Sequence, residues 1–304
     1  MHRARGKSQV VLLLCILSAA LCAGAAQTSI YRVSTLDLRD DRRIPKDWEP
    51  LSVAFELRAA PGQFADFAFA MAAPHRKLNP VRPVLSLLST ENGRVLRVSE
   101  ERIRSVVCAY WPLGGLGGPA DWDAPASYKY QPFALMYDHT LIRPDHKARR
   151  NKVTWERWAP DEPPVRPQAI PKGEMRQWYV TIPIPRLAPA GTYVGTLRFV
   201  QEDAVGRETL LAGFPIRLQV LPVTLLPPAK LYGIYTNFID GRFPDYFSLD
   251  DPRLRLAYED MAEHGFHNPW VQSRIRRVHD GKRWIFNFAD IERDMLLRYE
   301  AGLE

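Results

Sequence analysis

Gln177-Trp-Tyr-Val-Thr-Ile182 opens the stretch that decides the fold. Trp178, Val180 and Ile182 alternate with Gln177, Tyr179 and Thr181, a period of two that marks a strand with one buried face. Pro183 and Pro185 end the ladder because proline has no N–H to donate. After the turn Ala188-Pro-Ala-Gly191, a second strand runs through Tyr193, Gly195, Leu197 and Phe199. The link Glu202 to Glu208 leads to a third, with Phe214, Ile216, Leu218 and Val220 on one face. Three strands with short turns predict an antiparallel meander, the end of a β-sandwich. Beyond Pro222 the pattern changes. Pro227-Pro228 forms a stiff linker, and Leu231 to Tyr235 starts a new element.

Upstream, Leu51, Val53, Phe55 and Leu57 alternate as a strand, and Tyr31 to Val33 is a short first one. Pro61-Gly62 turns the chain, with Phe67, Phe69 and Met71 on the returning partner. Val84 to Leu88 and Val95 to Val98 flank a tight turn at Glu91-Asn-Gly93. Ile103 to Trp111 is long, β-branched and apolar, suited to a sheet centre. Seven to nine strands at this spacing describe a sandwich. Between Pro112 and Pro171 the rhythm gives way to glycine- and proline-rich loops, with Phe133 to Tyr137 a short apolar element inside them. Gly114 to Gly118 lacks the Gly-Lys-Ser/Thr that a phosphate loop requires, so a surface loop is expected.

From Leu231 the period becomes helical. Pro252 to Glu263 reads as a helix through Leu254, Tyr258 and Met261, stopped by His264-Gly-Phe266. Asn268 to Val271 is a short strand, and Val278 to Phe288 a hairpin turning at Asp280-Gly281. Ala289 to Glu300 is a second helix with Ile291, Met295 and Leu296 as its apolar side, stopped by Ala301-Gly-Leu303. The two stops form a weak repeat. Successive β-α units of this kind begin an α/β barrel or a parallel sheet.

Of the 304 residues, 46% are hydrophobic, enough for a real core. Arg3, Arg5 and Lys7, the apolar run Val10 to Leu21 and Ala23-Gly-Ala25 form a tripartite secretion signal. Leu21 is bulky where a lipoprotein signal requires a small residue before Cys22. The chain therefore divides into a signal peptide (1–25), a β-sandwich (26–226) and two β-α units (227–304). Export places the product in the periplasm or outside the cell, with no stable membrane span once the signal is removed. Losing three basic residues lowers the formal charge from +7 to +4, too modest an excess for a nucleic-acid partner. Arg149-Arg-Asn-Lys152 and Arg274 to Arg277 are expected to be solvated faces. Cys108 is the one thiol left, and its apolar surroundings predict a packing role.

The order of features resembles one particular sandwich. Strands at Val81 to Leu88 and Ile103 to Trp111, the Gly-rich loop, Pro132-Phe-Ala-Leu-Met136, Arg150-Asn151 and Gln177-Trp178 belong to it. So do Pro189-Ala-Gly-Thr-Tyr-Val-Gly-Thr196 and Tyr232-Gly-Ile-Tyr235. The series is similar to the N-terminal β-sandwich of family 123 glycoside hydrolases and their secreted relatives, and Asp260 to Gly265 resembles their first barrel helix. The resemblance implies β-N-acetylgalactosaminide hydrolysis on a (β/α)₈ barrel, assisted by the substrate's acetamido group. It needs an adjacent Asp-Glu pair at a strand end. Asp161-Glu162 lies in a proline-rich loop and Glu202-Asp203 on a hairpin tip, so no catalytic residue is assigned. With two β-α units where such a barrel has eight, the chain as given is expected to be a truncated, inactive portion.

Substrate-binding candidates stand at the two strand ends, Tyr235 and Asn237 after the first and Trp270 and Gln272 after the second. Aromatic faces stack on sugars and amides bond hydroxyls, although such aromatics also serve as rim packing. His264 and His267 straddle a glycine and do not share a face, so neither metal nor cofactor is expected. Two readings stay open: the N-terminal portion of an exported glycoside hydrolase acting on glycans, and a non-catalytic module that binds glycans or proteins.

Overall fold

The computed structural model describes residues 29–51, 54–97, 102–112, 128–153, 161, 163–203, 205, 207–223, 225, 233–235, 249–250, 252–266, 268–270 and 276–303. The secretion signal, the Gly114 to Gly118 run and the Arg274-Ile275 pair lie outside them. The chain divides into two compact units at Leu225/Leu226, and it is mainly β.

The first unit begins with β1 (Ser29–Val33), β2 (Phe55–Ala59), β3 (Phe64–Ala72) and β4 (Leu78–Leu85). A small hairpin, β5 (Leu88–Ser89) with β6 (Val95–Leu96), precedes β7 (Ile103–Pro112) and β8 (Tyr128–Met136). Then come β9 (Ile142–Asp145), β10 (Arg150–Val153), β11 (Gln168–Ile170) and β12 (Met175–Pro183). The long strands β13 (Gly191–Glu202) and β14 (Glu208–Val220) close it. One sheet has the order β1-β3-β12-β7-β8, and the other β11-β4-β13-β14-β2 with β5 and β6 at its margin. All pairings in these sheets are antiparallel except β14 with β2, which is parallel.

The two sheets share one core. Phe69 and Trp178, register partners on β3 and β12, stack at 5.8 Å. From the opposite sheet Phe199 meets Phe69 edge-on at 5.3 Å, and Phe55 packs on Phe67 at 5.0 Å. Phe55, Phe69, Trp178 and Phe199 are fully buried, and each such side chain contributes about 1.5–3 kcal/mol relative to exposure. Trp178, Val180, Ile182, Leu197, Ile216 and Leu218 all lie on the expected buried face.

The connectivity departs from the sequence reading in three places. β12, β13 and β14 are not a meander: β13 and β14 form a hairpin, but β12 belongs to the facing sheet. Pro183 and Pro185 withhold the donors a hairpin return would need, and Ile184 between them dives into the core. Likewise Ala60 to Gln63 carries the chain from β2 to β3 across the sheets rather than folding them together. Gly62, at φ 82°, donates to Ile184 O, and Ile184 N donates to Gln63 O, both at 2.8 Å, so the two crossings brace each other. Finally, 112–171 is not strand-free. Phe133 to Met136 belongs to β8, a nine-residue edge strand. Its alternation was hidden because Phe133 and Leu135 are exposed.

β3 is buried on both sides. Phe67, Phe69 and Met71 face the core, while Ala68, Ala70 and Ala72 lie under Leu38, Ile44 and Trp48. The small alanines let the 34–50 segment cross the outer face of the sheet as a strap. The backbone of Arg39 exchanges hydrogen bonds with the Gln177 amide, accepting from Nε2 and donating to Oε1. Met175 N donates to Asp41 O at 3.0 Å. Asn151, expected on a solvated face, bonds Tyr110 N and O at 2.9 and 2.8 Å and ties the β9–β10 hairpin to β7.

In the second unit β15 (Gly233–Tyr235) and β16 (Asn268–Trp270) pair in parallel around α1 (Pro252–Glu263). The hairpin β17 (Arg276–His279) and β18 (Trp284–Asn287) leads to α2 (Ala289–Glu300). The two helix stops have one geometry. Gly265 and Gly302 sit at φ 80° and 87°; Phe266 N donates to Met261 O and Leu303 N to Arg298 O, both at 3.0 Å. These are Schellman caps, in which glycine takes the left-handed position without a Cβ penalty. The helix pair buries Leu254, Tyr258, Met261, Ala301 and Leu303. The apolar side expected for α2 is wrong. Met295 and Leu296 are each 62% exposed, while Asp294 is buried, because its carboxylate accepts from Tyr258 Oη at 2.6 Å and from Arg298 Nη2.

Candidate functional site

Two places concentrate the chemistry. The first is the end of the parallel pair in the second unit. The register sets Tyr235 opposite Trp270, each the last residue of its strand, and ligands of parallel α/β sheets gather at the carboxyl ends of strands. The backbone thus brings these two sequence-derived candidates together. Asn237 and Gln272 lie outside the described residues.

The second place was missed in the sequence. It is a cleft of about 350 Å³ in the first unit, bounded by the strap, β7, β8 and β9. On its floor Arg176 Nη1 lies 3.2 Å from Asp41 and 3.1 Å from Glu174, and Tyr130 Oη donates to Asp41 Oδ1 at 2.8 Å. Cys108 Sγ lies 3.6 Å from Arg39 O. Burial is the leading cause of four shifts here. It raises the Asp41 carboxyl above its ordinary range, against the opposing pull of Arg176. It also raises the Tyr130 phenol and the Cys108 thiol, so Cys108 stays protonated as the packing reading required. The His139 imidazole falls to about 4, and its buried Nδ1 has no hydrogen-bond partner among the described residues. Perturbed groups gathered in one concavity are a recognised mark of a binding site.

At the rim the Arg42 guanidinium covers the Tyr130 ring at 4.4 Å while its Nε and Nη2 grip Asp40. Tyr130 and His146 meet edge to face at 5.0 Å, and Tyr110 Oη is 3.0 Å from His146 Nδ1. The one sequence cue to the strap was the Phe/Ala alternation of β3, in which both faces are apolar. A larger groove beside Arg82, Arg166 and Pro163 to Pro167 offers less. Its arginines are already paired, Arg82 with Glu208 and Arg166 with Asp138, each at 2.6 Å.

The adjacent acidic pairs have other work. Asp161 accepts from the backbone of Tyr137 and Asp138 at 2.9 and 2.7 Å, while Glu162 lies outside the described residues. Asp203 accepts from Val205 N and Arg207 N and shapes the β13–β14 turn. His264 Nδ1 contacts Asp260 O at 2.7 Å within its own helix end, and His267 is not among the described residues. Among the described residues no group of three His, Cys, Asp or Glu side chains is placed to hold a metal ion, and no helix is long and apolar enough to cross a membrane.

The chain is similar to a family 123 glycoside hydrolase from Clostridium perfringens, studied for glycolipid glycan hydrolysis. The TM-score is 0.61 and the identity 16%, over 91% of this chain and 46% of that one. The relationship is one of fold. The chain spans just under half the length of that enzyme. The CooA pilin subunit of enterotoxigenic Escherichia coli and Spo0M of Bacillus subtilis match with TM-scores of 0.27 and 0.23, at 9% and 10% identity. They cover 64% and 66% of this chain and 99% and 51% of their own, and scores that low carry no argument. No family model and no curated protein matches the sequence.

Proposed function

We propose that the chain is the N-terminal portion of an exported glycoside hydrolase-like protein that acts on glycans, with residues 26–226 as its β-sandwich and 227–304 as the first β-α units of a (β/α)₈-type barrel. The observation carrying this reading is the parallel pair β15–β16, which sets Tyr235 and Trp270 side by side at the strand ends. The glycoside-hydrolase likeness of the fold supports it. Sugar chemistry suits the residue types, since an aromatic face offers a flat apolar surface and a polar edge. The substrate class is a glycan ending in β-linked N-acetylgalactosamine, which Tyr235, Asn237, Trp270 and Gln272 would engage.

The test is titration of the exported protein with a β-N-acetylgalactosaminide, followed by ligand-observed NMR, with released sugar assayed in parallel. Trp270→Ala and Tyr235→Ala should each weaken binding about tenfold, the loss of one stacking contact of about 1.4 kcal/mol, without lowering the melting temperature. Binding is expected without hydrolysis, and release of sugar by this chain would overturn its reading as an inactive portion. Affinity unchanged in both variants would remove the strand-end site. Intact-mass analysis of the exported product should show Met1 to Ala25 gone.

A further inference from the structure

We infer that the cleft beneath the strap is a second binding site, for an anionic saccharide: a sugar ring bearing a carboxylate or a sulfate. The inference is independent of the strand-end site, because it rests on which hydrogen-bonding groups of the cleft are already engaged.

The acidic groups are committed within the protein. Asp41 and Glu174 share Arg176, Tyr130 donates to Asp41, and Asp40 holds Arg42 through Nε and Nη2. What remains is donor capacity. Arg42 Nη1 makes no hydrogen bond among the described residues, and Arg143 uses only Nε, bonded to Thr140 O at 3.3 Å. Both arginines line the cleft and both are exposed at its rim. His146 adds a third donor. Tyr110 Oη lies 3.0 Å from Nδ1, and the tautomer in which that hydroxyl donates carries the ring proton on Nε2. A ligand completing this set must therefore accept hydrogen bonds and bring negative charge. Guanidinium groups are well matched to carboxylate and sulfate oxygens.

The walls indicate a ring as well as an anion. Pro144 and the Tyr130 ring, each partly exposed, present apolar surface beside those donors, over the buried Val107 and Ile142. A free inorganic anion would leave this surface in water, whereas the apolar face of a pyranose covers it. The volume, about 350 Å³, lies at the small end of ligand pockets, about 300–1,000 Å³. That is suited to one sugar residue rather than a long chain. The half-buried Asp41–Arg176 pair lies at the floor, beneath the exposed Arg42 and Arg143 at the rim.

The experiment is calorimetric titration of the full chain with D-glucuronic acid, D-glucose 6-sulfate, D-glucose and inorganic sulfate, none of which carries the acetamido group that the strand-end reading requires. One or both charged sugars should bind at least tenfold tighter than the neutral sugar and tighter than sulfate alone. The better of the two identifies the anion. Arg143→Gln, at an exposed position, should cost about tenfold in that affinity with the melting temperature kept. Equal binding of the neutral sugar, sulfate binding as tightly as the charged sugars, or an Arg143→Gln variant with full affinity would each overturn the site. So would no binding of either charged sugar at millimolar concentration.

Discussion

The two compact units of this chain are built on opposite principles. The first gathers strands distant in sequence: β2 pairs with β14 and β3 with β12, and the aromatic cluster of Phe55, Phe69, Trp178 and Phe199 joins both sheets. The second is local. β15, α1 and β16 follow one another, and each helix is ended by its own glycine cap. The first joins its sheets through aromatic and aliphatic side chains, with Ser105, Gln168 and Gln177 among its buried polar residues, whereas the second places a carboxyl group, that of Asp294, in its helix interface. Long-range pairing thus goes with a core held mainly by aromatic and aliphatic packing. The local unit depends on one satisfied polar network, and the two should fail in different ways.

The sharpest way to break that contrast is to hollow the first core. Phe69 touches Phe67, Trp178 and Phe199 and is fully buried. Phe69→Ala should cost about 3–5 kcal/mol through lost burial and a residual cavity. Chemical denaturation, followed by tryptophan fluorescence, would read it. Leu218→Ala, at a smaller buried site, should cost about 2–5 kcal/mol. A loss below ~1 kcal/mol in Phe69→Ala would mean that the aromatic cluster does not bind the sheets together.

In the second unit the corresponding weak point is polar. Asp294→Ala removes the acceptor of the Tyr258 hydroxyl and strands Arg298. Breaking a buried pair in this way costs about 3–5 kcal/mol, and the lower end applies because Arg298 keeps some solvent access. Hydrogen exchange should show amides of α1 and α2 losing protection while those of β12 and β13 keep theirs. Loss spreading equally through both units would erase the distinction between them.

Between these lies a pH effect specific to the cleft. Burial holds His139 at about 4, below the ordinary 6.5 that it recovers on unfolding. The unfolded chain therefore binds the proton more tightly, and stability falls as pH drops from about 6.5 to 4. The full shift corresponds to about 3 kcal/mol at the acid end. Asp41 acts in the opposite sense. Its raised folded pKa means a penalty that is relieved as the carboxyl protonates. Subtracting the denaturation curve of His139→Gln from that of the parent, point by point between pH 4 and 7, isolates the histidine. A flat difference across that window would show that His139 titrates normally.

Sequence reading succeeded where one physical cause acted alone. Trp178, Val180 and Ile182 alternate because one side of β12 meets the facing sheet, and Leu254, Tyr258 and Met261 recur because one side of α1 meets α2. Glycine caps were legible because only the left-handed conformation satisfies both helix ends. Strand partners were not legible: Pro61-Gly62 and Ala188 to Gly191 read as turns between paired strands, yet the strands that they join lie in different sheets. For the candidate sites the division is similar. Tyr235 and Trp270 were found because strand ends show in the sequence. The cleft was missed because Asp41, Tyr130, His139 and Arg176 come from four separate segments, and none of them breaks a local pattern.

The smallest predicted effect bears on the clearest failure of that reading. Ile291, Met295 and Leu296 have helical spacing, so hydrophobicity alone turns α2 to bury them. The observed rotation instead buries Asp294 with Leu297 alongside, and leaves Met295 and Leu296 mostly in solvent. The polar network wins because an Asp294 carboxylate turned outward would leave the buried Tyr258 hydroxyl without its 2.6 Å partner. An unsatisfied buried donor costs about 1–3 kcal/mol. Burying Met295 and Leu296 would gain something of the same size, so the two rotations are finely balanced and substitution can tell them apart. The double variant Met295→Gln, Leu296→Gln keeps helix propensity, since all of these residues are good helix formers. On the observed rotation it should change stability by less than about 0.5 kcal/mol, as exposed substitutions do. On the rotation that hydrophobicity predicts, it would place two amides in the helix interface and cost several times as much. Thermal denaturation of the double variant beside Asp294→Ala therefore decides which face of α2 is the inner one.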